Sequence, residues 1–586
     1  MTASGIGGFG CASVALCALW PVSTAAQGPV PAPDLILHRG NIVTVDAQFS
    51  IAEAVAVRGD RIVAVGTDSA IRSMAGPETR ILDLQGKTVL PGLADTHTHP
   101  LGAALYEFDH EVPEMETIAD VLDYFRQRAR IVPRGEWIRL QQVFITRLRE
   151  QRYPTRAELD GAAPDNPAYF RTGPDASLNS LALELSGIDR DFRIPQGSLG
   201  RIERDAGGNP TGIIRSGAHL IKFQESQRQP ARSDRMKRLR ELFAAYNQVG
   251  LTSIADRNAS PEALDLYEDL LSDGHLTVRV FVSHAINAQE PLEDIEATIA
   301  KLVRHPRHRR GPMLWLRGIK FFMDGGMLTG SAYMREPWGV SDVYSITDPD
   351  YRGLRFVPPG KAYAISRLAL ASGLQPTAHS VGDGAVHALI DAYSEVNDEF
   401  RVRDLRPCIT HSNFMSPEAI ERMAEIGIVA DLQPAWLERD GATLLKQFGE
   451  ARLRFFQPYT SLKQAGVVVG GGSDHMQKIG SMRSINPYNP FFGMWIALTR
   501  QPRWTENVLQ PQQRISREDA IRLYTINNAF ITFSEHDKGS LEVGKLADLI
   551  VLDRDILTCP LEEVKDIQVD RTYLGGTLVF ARGPAD

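Results

Sequence analysis

Cysteine is scarce in this chain: the 586 residues contain four, and two of them, Cys11 and Cys17, fall near the start. No CxxC pair occurs, which excludes a zinc ribbon and a disulfide framework. Any metal must therefore be held by His, Asp, Glu or a Lys-derived ligand. Positive charge is also short, with 64 Lys and Arg against 72 Asp and Glu and a net charge of −8. Nothing basic is concentrated enough to neutralise phosphates, so neither nucleic acid nor an anionic membrane surface is an expected partner. The densest basic run, Arg304–Arg310, reads as a solvated loop before a buried strand. Long apolar runs are missing too. The stretch Ala12–Val22 falls short of the about 20 residues needed to cross a bilayer, and no membrane span is expected in the mature chain. Short-period repeats and low-complexity tracts are absent.

The first 28 residues carry no charged side chain, and small residues stand at both −3 and −1 for cleavage after Ala25 or Ala26. That pattern predicts a signal peptide over 1–26, although its n-region has no Lys or Arg, and a periplasmic or secreted product. Removing it would leave Cys408 and Cys559 as the cysteines of the mature protein.

With 43% hydrophobic and 23% charged residues, the rest has the balance of a globular protein with a large core. Past the Pro-rich joint 29–33, short β-rich runs follow one another: Leu35–Leu37, Ile42–Val45, Ala54–Val57 and Arg61–Val65, with turn chemistry such as Arg58-Gly59-Asp60 between them. The C-terminus repeats this style at Gly544–Leu552 and Thr577–Phe580. Two β-rich ends around a different middle predict one small β-sandwich built from both termini, 34–90 with 535–586. In the middle, apolar β-runs alternate with amphipathic helices such as Ala362–Ser372 and Pro417–Ile426. Buried strands alternating with helices imply βα units around a parallel sheet, and an α/β barrel over 91–534 fits best. From about 105 to 245 the alternation is irregular and loop-rich, which predicts an insertion.

The informative polar residues stand on those strands. His97 and His99 are separated by one residue, so on an extended strand both point to one face and can share a metal. They follow the apolar run Thr88–Leu93 and precede Pro100. Lys320 sits inside an apolar β-run, where a buried ammonium is costly unless paired or chemically changed. His379 and His411 end strands, and Asp474 follows Val467–Ser473. Each falls at a strand's C-terminal end, the face where barrel enzymes build their sites.

His97-x-His99, Lys320, His379, His411 and Asp474 together resemble the ligand set of the amidohydrolase superfamily, and within it the branch called amidohydrolase family 3. The supporting stretches include VLPGLADTHTHP (89–100), GLTSIADRN (250–258), GIKFFMDGGM (318–327) and AHSVGDGAV (378–386). ITHSNF (409–414), DLQPAW (431–436), GGGSDH (470–475) and KGSLEVGKLADLIVLD (538–553) complete them, so the match runs from about 34 to 582. The resemblance implies a (β/α)8 barrel with a β-sandwich and two divalent metal ions, with zinc expected from ligand softness. By the same resemblance His97 and His99 bind the more buried ion, and His379 and His411 the other. Lys320, carboxylated by CO2, bridges the two, and Asp474 is both ligand and base. The carbamate supplies the negative charge between two cations that neutral imidazoles do not.

Two departures qualify the substrate. The segment Gly173–Ser180 lacks the His that the family often carries before its Asn-Ser pair, and Gly384 replaces an Arg. The reading is therefore a hydrolase of a small amide, N-acyl, formamide or cyclic amide. The alternatives are a mononuclear deaminase using His97, His99, His379 and Asp474, a lactone or ester hydrolase, and a non-catalytic metal- or solute-binding protein. A homodimer is left open. His38, His110, His219, His275, His305, His308 and His536 read as solvated or locally bonded. His284 reads as a satisfied core residue, and His475, Asp324, Trp436 and Trp495 stand between pocket and core roles.

Overall fold

The computed structural model describes residues 31–225 and 228–583; the leader expected over 1–26, with Cys11 and Cys17, lies outside them. Eight parallel strands form the central sheet. In chain order they are β1 (Leu93–Thr98), β2 (Leu251–Ala259), β3 (Arg279–Ala285), β4 (Leu314–Phe322), β5 (Gln375–Ser380), β6 (Cys408–His411), β7 (Val429–Leu432) and β8 (Val469–Gly471). Their spatial order follows the sequence, as right-handed βα crossovers require. Most of these strands are buried along nearly their whole length, as in β1, β6, β7 and β8, which is what a parallel sheet covered on both faces requires. The ring closes just beyond β8, where the Asp474 N–H donates to the His97 carbonyl and the His99 N–H to the His475 carbonyl, each at 2.8 Å. Closure needs close approach: a Cβ on Gly472 would lie 2.9 Å from the Cβ of His97.

Helices start close behind the strands. Ser260 and Ser416 each accept a bond from the backbone N–H three residues on, and Pro occupies the first turn of the helices Pro261–Ser272 and Pro417–Ile426. Both are favourable helix starts, and both place a helix on the outer wall soon after β2 and β6.

Two further sheets lie side by side outside the barrel. One contains Leu35–His38, Ala54–Arg58, Arg61–Gly66 and Arg80–Asp83; the other contains Asn41–Val43, Ile51–Ala52, Thr88–Pro91, Leu549–Leu552, Val569–Leu574 and Thr577–Ala581. The chain ends meet where Leu549–Leu552 pairs antiparallel with Thr88–Pro91. Leu35, Val55 and Val57 share a core with Val89, Leu549 and Tyr573. A buried ion pair ties this unit to the barrel: Arg279 on β3 holds Asp548 with two bonds of 2.7 Å. Arg279→Met strands that carboxylate in a buried site and is expected to lower unfolding free energy by about 3–5 kcal/mol, read from urea denaturation.

The segment expected as a loop-rich insertion has its own sheet of five strands, Ile138–Gln141, Ala168–Thr172, Asp175–Leu178, Arg201–Arg204 and Pro210–Arg215. Its turns rest on the barrel mouth. By contrast, Arg232–Gln248 is a 17-residue helix packed on β2, so this last part of the segment belongs to the barrel wall.

Candidate metal centre

The C-terminal ends of the barrel strands surround a cavity of about 710 Å3, and His97, His99, Lys320, His379, His411 and Asp474 all line it. β1 supplies both histidines of the pair, their ring centres 5.1 Å apart. Asp474 sits opposite, with Oδ1 3.0 Å from His99 Nε2 and 3.4 Å from His97 Nε2. One ligand atom from each of these three residues lies within 4.8 Å of the others. His379 and His411 stand beside this group, with ring centres 4.4 Å apart, and His411 stacks on His97 at 5.0 Å. Asp474 and His411 carry φ values of 57° and 79°. Non-glycine residues in this left-handed region cost of order 1–3 kcal/mol and cluster at functional sites.

Lys320 is 1% exposed. Among the described residues its Nζ makes no hydrogen bond or ion pair, and it lies 5.6 Å from the Phe322 ring centre. Burial pulls its ammonium down to about 8, against the opposing attraction of Asp431 and Asp474. Burial, with the positive charge of Lys320, also holds His97 well below the usual imidazole range and His379 down to about 3. Burial and then His379 do the same for His411. These rings are neutral at neutral pH, the protonation state that coordinates a metal.

The surroundings orient the rings. Gln433 donates from Nε2 to Asp431 Oδ1 at 2.9 Å, which fixes its amide, so Oε1 is the acceptor for His411 Nδ1 at 2.7 Å. The Nε2 of His411 is then the nitrogen with a lone pair. His97 Nδ1 faces Asp431 Oδ1 at 3.4 Å, turning its Nε2 toward Asp474. Such partners fix the tautomer of a metal-binding imidazole. Arg257 fills the barrel beneath, donating to the Thr96 carbonyl, Gln375 and Thr377. Asp324 accepts bonds from the N–H groups of Tyr333, Val381 and Gly382 at 2.9–3.0 Å, pinning the turn after His379. Asp431, Gln433 and Arg257 lie within DLQPAW and GLTSIADRN but carried no assigned role in the sequence reading. Arg257 and Asp431 stand on β2 and β7 and Gln433 directly follows β7, but their partners, more than 100 residues away in several cases, are not marked in the sequence.

The remaining residues separate clearly. Trp436 lines the cavity and stacks on His411 at 4.7 Å, whereas Trp495 bonds to Glu562. His475 is outside the lining: its Nδ1 meets Tyr246 Oη at 2.7 Å and its Nε2 the Lys478 carbonyl at 2.8 Å, so it holds the turn after Asp474. His284 is a core residue as expected but not a satisfied one: it is buried, and among the described residues its Nδ1 has no hydrogen-bond partner. Cavity walls are largely apolar, with Leu101, Leu105, Phe144, Phe322, Leu328 and Phe356, and Gly173 and Pro174 line it from the segment that lacks the family's His.

A closed (β/α)8 barrel with neutral imidazoles and a carboxylate converging at the strand ends defines a metal-dependent hydrolase site. Residues 80–580 match the amidohydrolase family. N-substituted formamide deformylase of Arthrobacter pascens is 31% identical over 94% of this chain and 98% of its own. Protein LONG AFTER FAR-RED 3 of Arabidopsis thaliana is 26% identical over 93% and 91%. An uncharacterized metal-dependent hydrolase from Pyrococcus furiosus, 24% identical, superposes with a TM-score of 0.64 over 89% of this chain and all of its own. The chain belongs to the amidohydrolase family and is a metal-dependent hydrolase of carbon–nitrogen bonds other than peptide bonds.

Proposed function

We propose that the protein hydrolyses the amide bond of a small N-acyl amine, with an N-substituted formamide carrying an apolar substituent as the leading case. The observation that carries this is the placement of His97, His99 and Asp474 on the floor of a cavity whose walls are apolar. The donor set fits divalent zinc. His97, His99 and Asp474 would hold one ion and His379 and His411 a second, and a carbamate formed on Lys320 would supply the anionic ligand. Once bound, such ions make water acidic enough to lose a proton near neutral pH and polarise a carbonyl.

The chain's own residues do the rest. Asp474 Oδ1, beside both imidazoles of the pair, accepts the proton of the attacking water and returns it to the departing nitrogen. His97 and His411 are held in one orientation by Asp431 and Gln433. Phe144, Phe322 and Phe356 bury the amine substituent and keep bulk water from the reacting bond. The name of the Arthrobacter relative supports the formyl group; the wall chemistry supports the apolar substituent.

The metal-loaded protein is tested against N-formyl amines, N-acyl amino acids, hydantoins and lactones. Turnover of N-formyl amines with aromatic substituents is expected; turnover of the lactones alone would overturn the reading. Because burying a phenyl group is worth about 1.5–3 kcal/mol, Phe322→Ala should lower kcat/KM for an aromatic formamide by about 10–100-fold. N-methylformamide should be affected far less.

One observation favours a second reading, a mononuclear site such as the deaminase set of His97, His99, His379 and Asp474: the tight donor group holds three of those four residues, enough for one ion, while His379 stands beside it. One tightly bound metal per chain with an unmodified Lys320 would overturn the two-metal reading. Export completes the proposal, and comparison of processed chain in periplasmic and cytoplasmic fractions tests it.

A further inference from the structure

Asp474 presents one carboxylate oxygen to His97 and His99, and the other is held from behind. Its Oδ2 lies 3.3 Å from Nδ2 of Asn486, which also donates to the Asp474 carbonyl at 2.7 Å. Asn486 is fully buried. Its Oδ1 accepts from Arg147 Nη1 at 2.9 Å, and the same guanidinium nitrogen reaches the Ile485 carbonyl at 2.6 Å. With Oδ1 facing a guanidinium, the amide can present only its NH2 to Asp474.

Arg147 comes from the insertion, at the end of the turn Ile145–Arg147. Its Nε and Nη2 grip Asp440 at 3.2 and 2.8 Å, and Thr146 Oγ1 adds a bond of 2.8 Å to the same carboxylate. Asp440 lies on the helix Pro434–Arg452 that follows β7. Both charges are at most 4% exposed. A buried ion pair is poor evidence of stabilisation, since apolar replacements often serve as well; here the pair fixes the place of a third residue. Just upstream, Gln142 and Phe144 line the cavity. Gln142 is locked at φ 59°, its carbonyl accepting from Gln477 and its N–H donating to Arg171. One six-residue segment thus touches the cavity at one end and the back of the base at the other.

We propose that Asn486, clamped by Arg147, is the positioning residue for Asp474, so that the base is aimed correctly only when segment 142–147 of the insertion is seated over the cavity. This rests on the reading of Asp474 as the proton acceptor. Rotation of a carboxylate about its last torsion meets only a broad two-fold preference, so without a partner on Oδ2 the angle of Oδ1 is poorly defined. Small misalignments of a reacting group are expensive in rate.

Asn486→Leu removes the donor while keeping the volume. It should lower kcat by about 10–100-fold, the usual range for a residue that orients a metal-site group, with KM within about threefold and unchanged metal content at saturating zinc. A crystal structure of the metal-free variant should show the Asp474 carboxylate rotated. Should Asn486→Leu fail to fold, Arg147→Met combined with Asp440→Leu removes the clamp without leaving a lone buried charge, and the same fall in kcat is expected. Wild-type kcat and an unrotated Asp474 in the variant, alongside an inactive Asp474→Asn, would overturn the positioning role and leave the base intact. An active Asp474→Asn would overturn both.

Discussion

Asp474→Asn yields a folded protein that binds metal and has lost turnover by at least about 100-fold, the lower end of what a positioned acid–base group contributes. The substitution keeps the size of the side chain and an oxygen able to face His97 and His99. It removes the capacity to accept a proton from water and pass it to the leaving nitrogen. Asn486 and the backbone bond to the His97 carbonyl remain available to hold residue 474 in place, so circular dichroism and the urea midpoint should move little. Turnover unchanged from the wild type, with metal retained, would remove the catalytic role of Asp474; no turnover by either protein, with metal bound in both, would leave a metal- or solute-binding protein. The measurement is steady-state kinetics with metal analysis on the same preparation.

Lys320→Met removes the amine that would carry the carbamate. Methionine has a similar length and suits a site that is 1% exposed, and the substitution relieves the burial of an unpaired ammonium. Stability should therefore hold or rise, while on the proposed two-metal reading metal content falls to one ion per chain or fewer and kcat drops by at least about 100-fold. The reason is electrostatic. His97, His379 and His411 are neutral, and the single carboxylate of Asp474 does not balance two divalent ions; an anionic ligand between them does. Small carboxylic acids that enter the vacated space should restore part of the activity. Wild-type protein reloaded with metal in CO2-free buffer should recover slowly until bicarbonate is added. Full activity of a two-metal wild-type protein whose Lys320 is unmodified would sink the bridging role.

The barrel was legible because its strands are buried on both faces, so Leu251–Ala255, Gly318–Phe322 and Cys408–His411 read as apolar runs against amphipathic helices. All six candidate residues line one cavity for the same reason: a polar residue closing an apolar strand has few structural uses. The insertion was harder. Its strands are four to six residues long and its edge strands, Ile138–Gln141 and Arg201–Arg204, are partly exposed, so each run is too short to stand out, and a five-stranded sheet read as loops. His475 had the same ambiguity, since its position beside Asp474 does not say to which side its ring turns.

Sequence alone determined the chemistry available to this protein: neutral nitrogen donors, one carboxylate and one buried amine at strand ends, with no thiolate site. Local spacing and strand burial act over a few residues, and a string of residues records them. Tertiary structure decided which atoms face one another. The orientation of His411 by Gln433, of His97 by Asp431, and of Asp474 by Asn486 and Arg147 depends on contacts between segments up to 339 positions apart. Hydrogen bonds are directional and short-ranged, so partners of that kind exist only once the barrel has closed and the insertion has docked on its mouth.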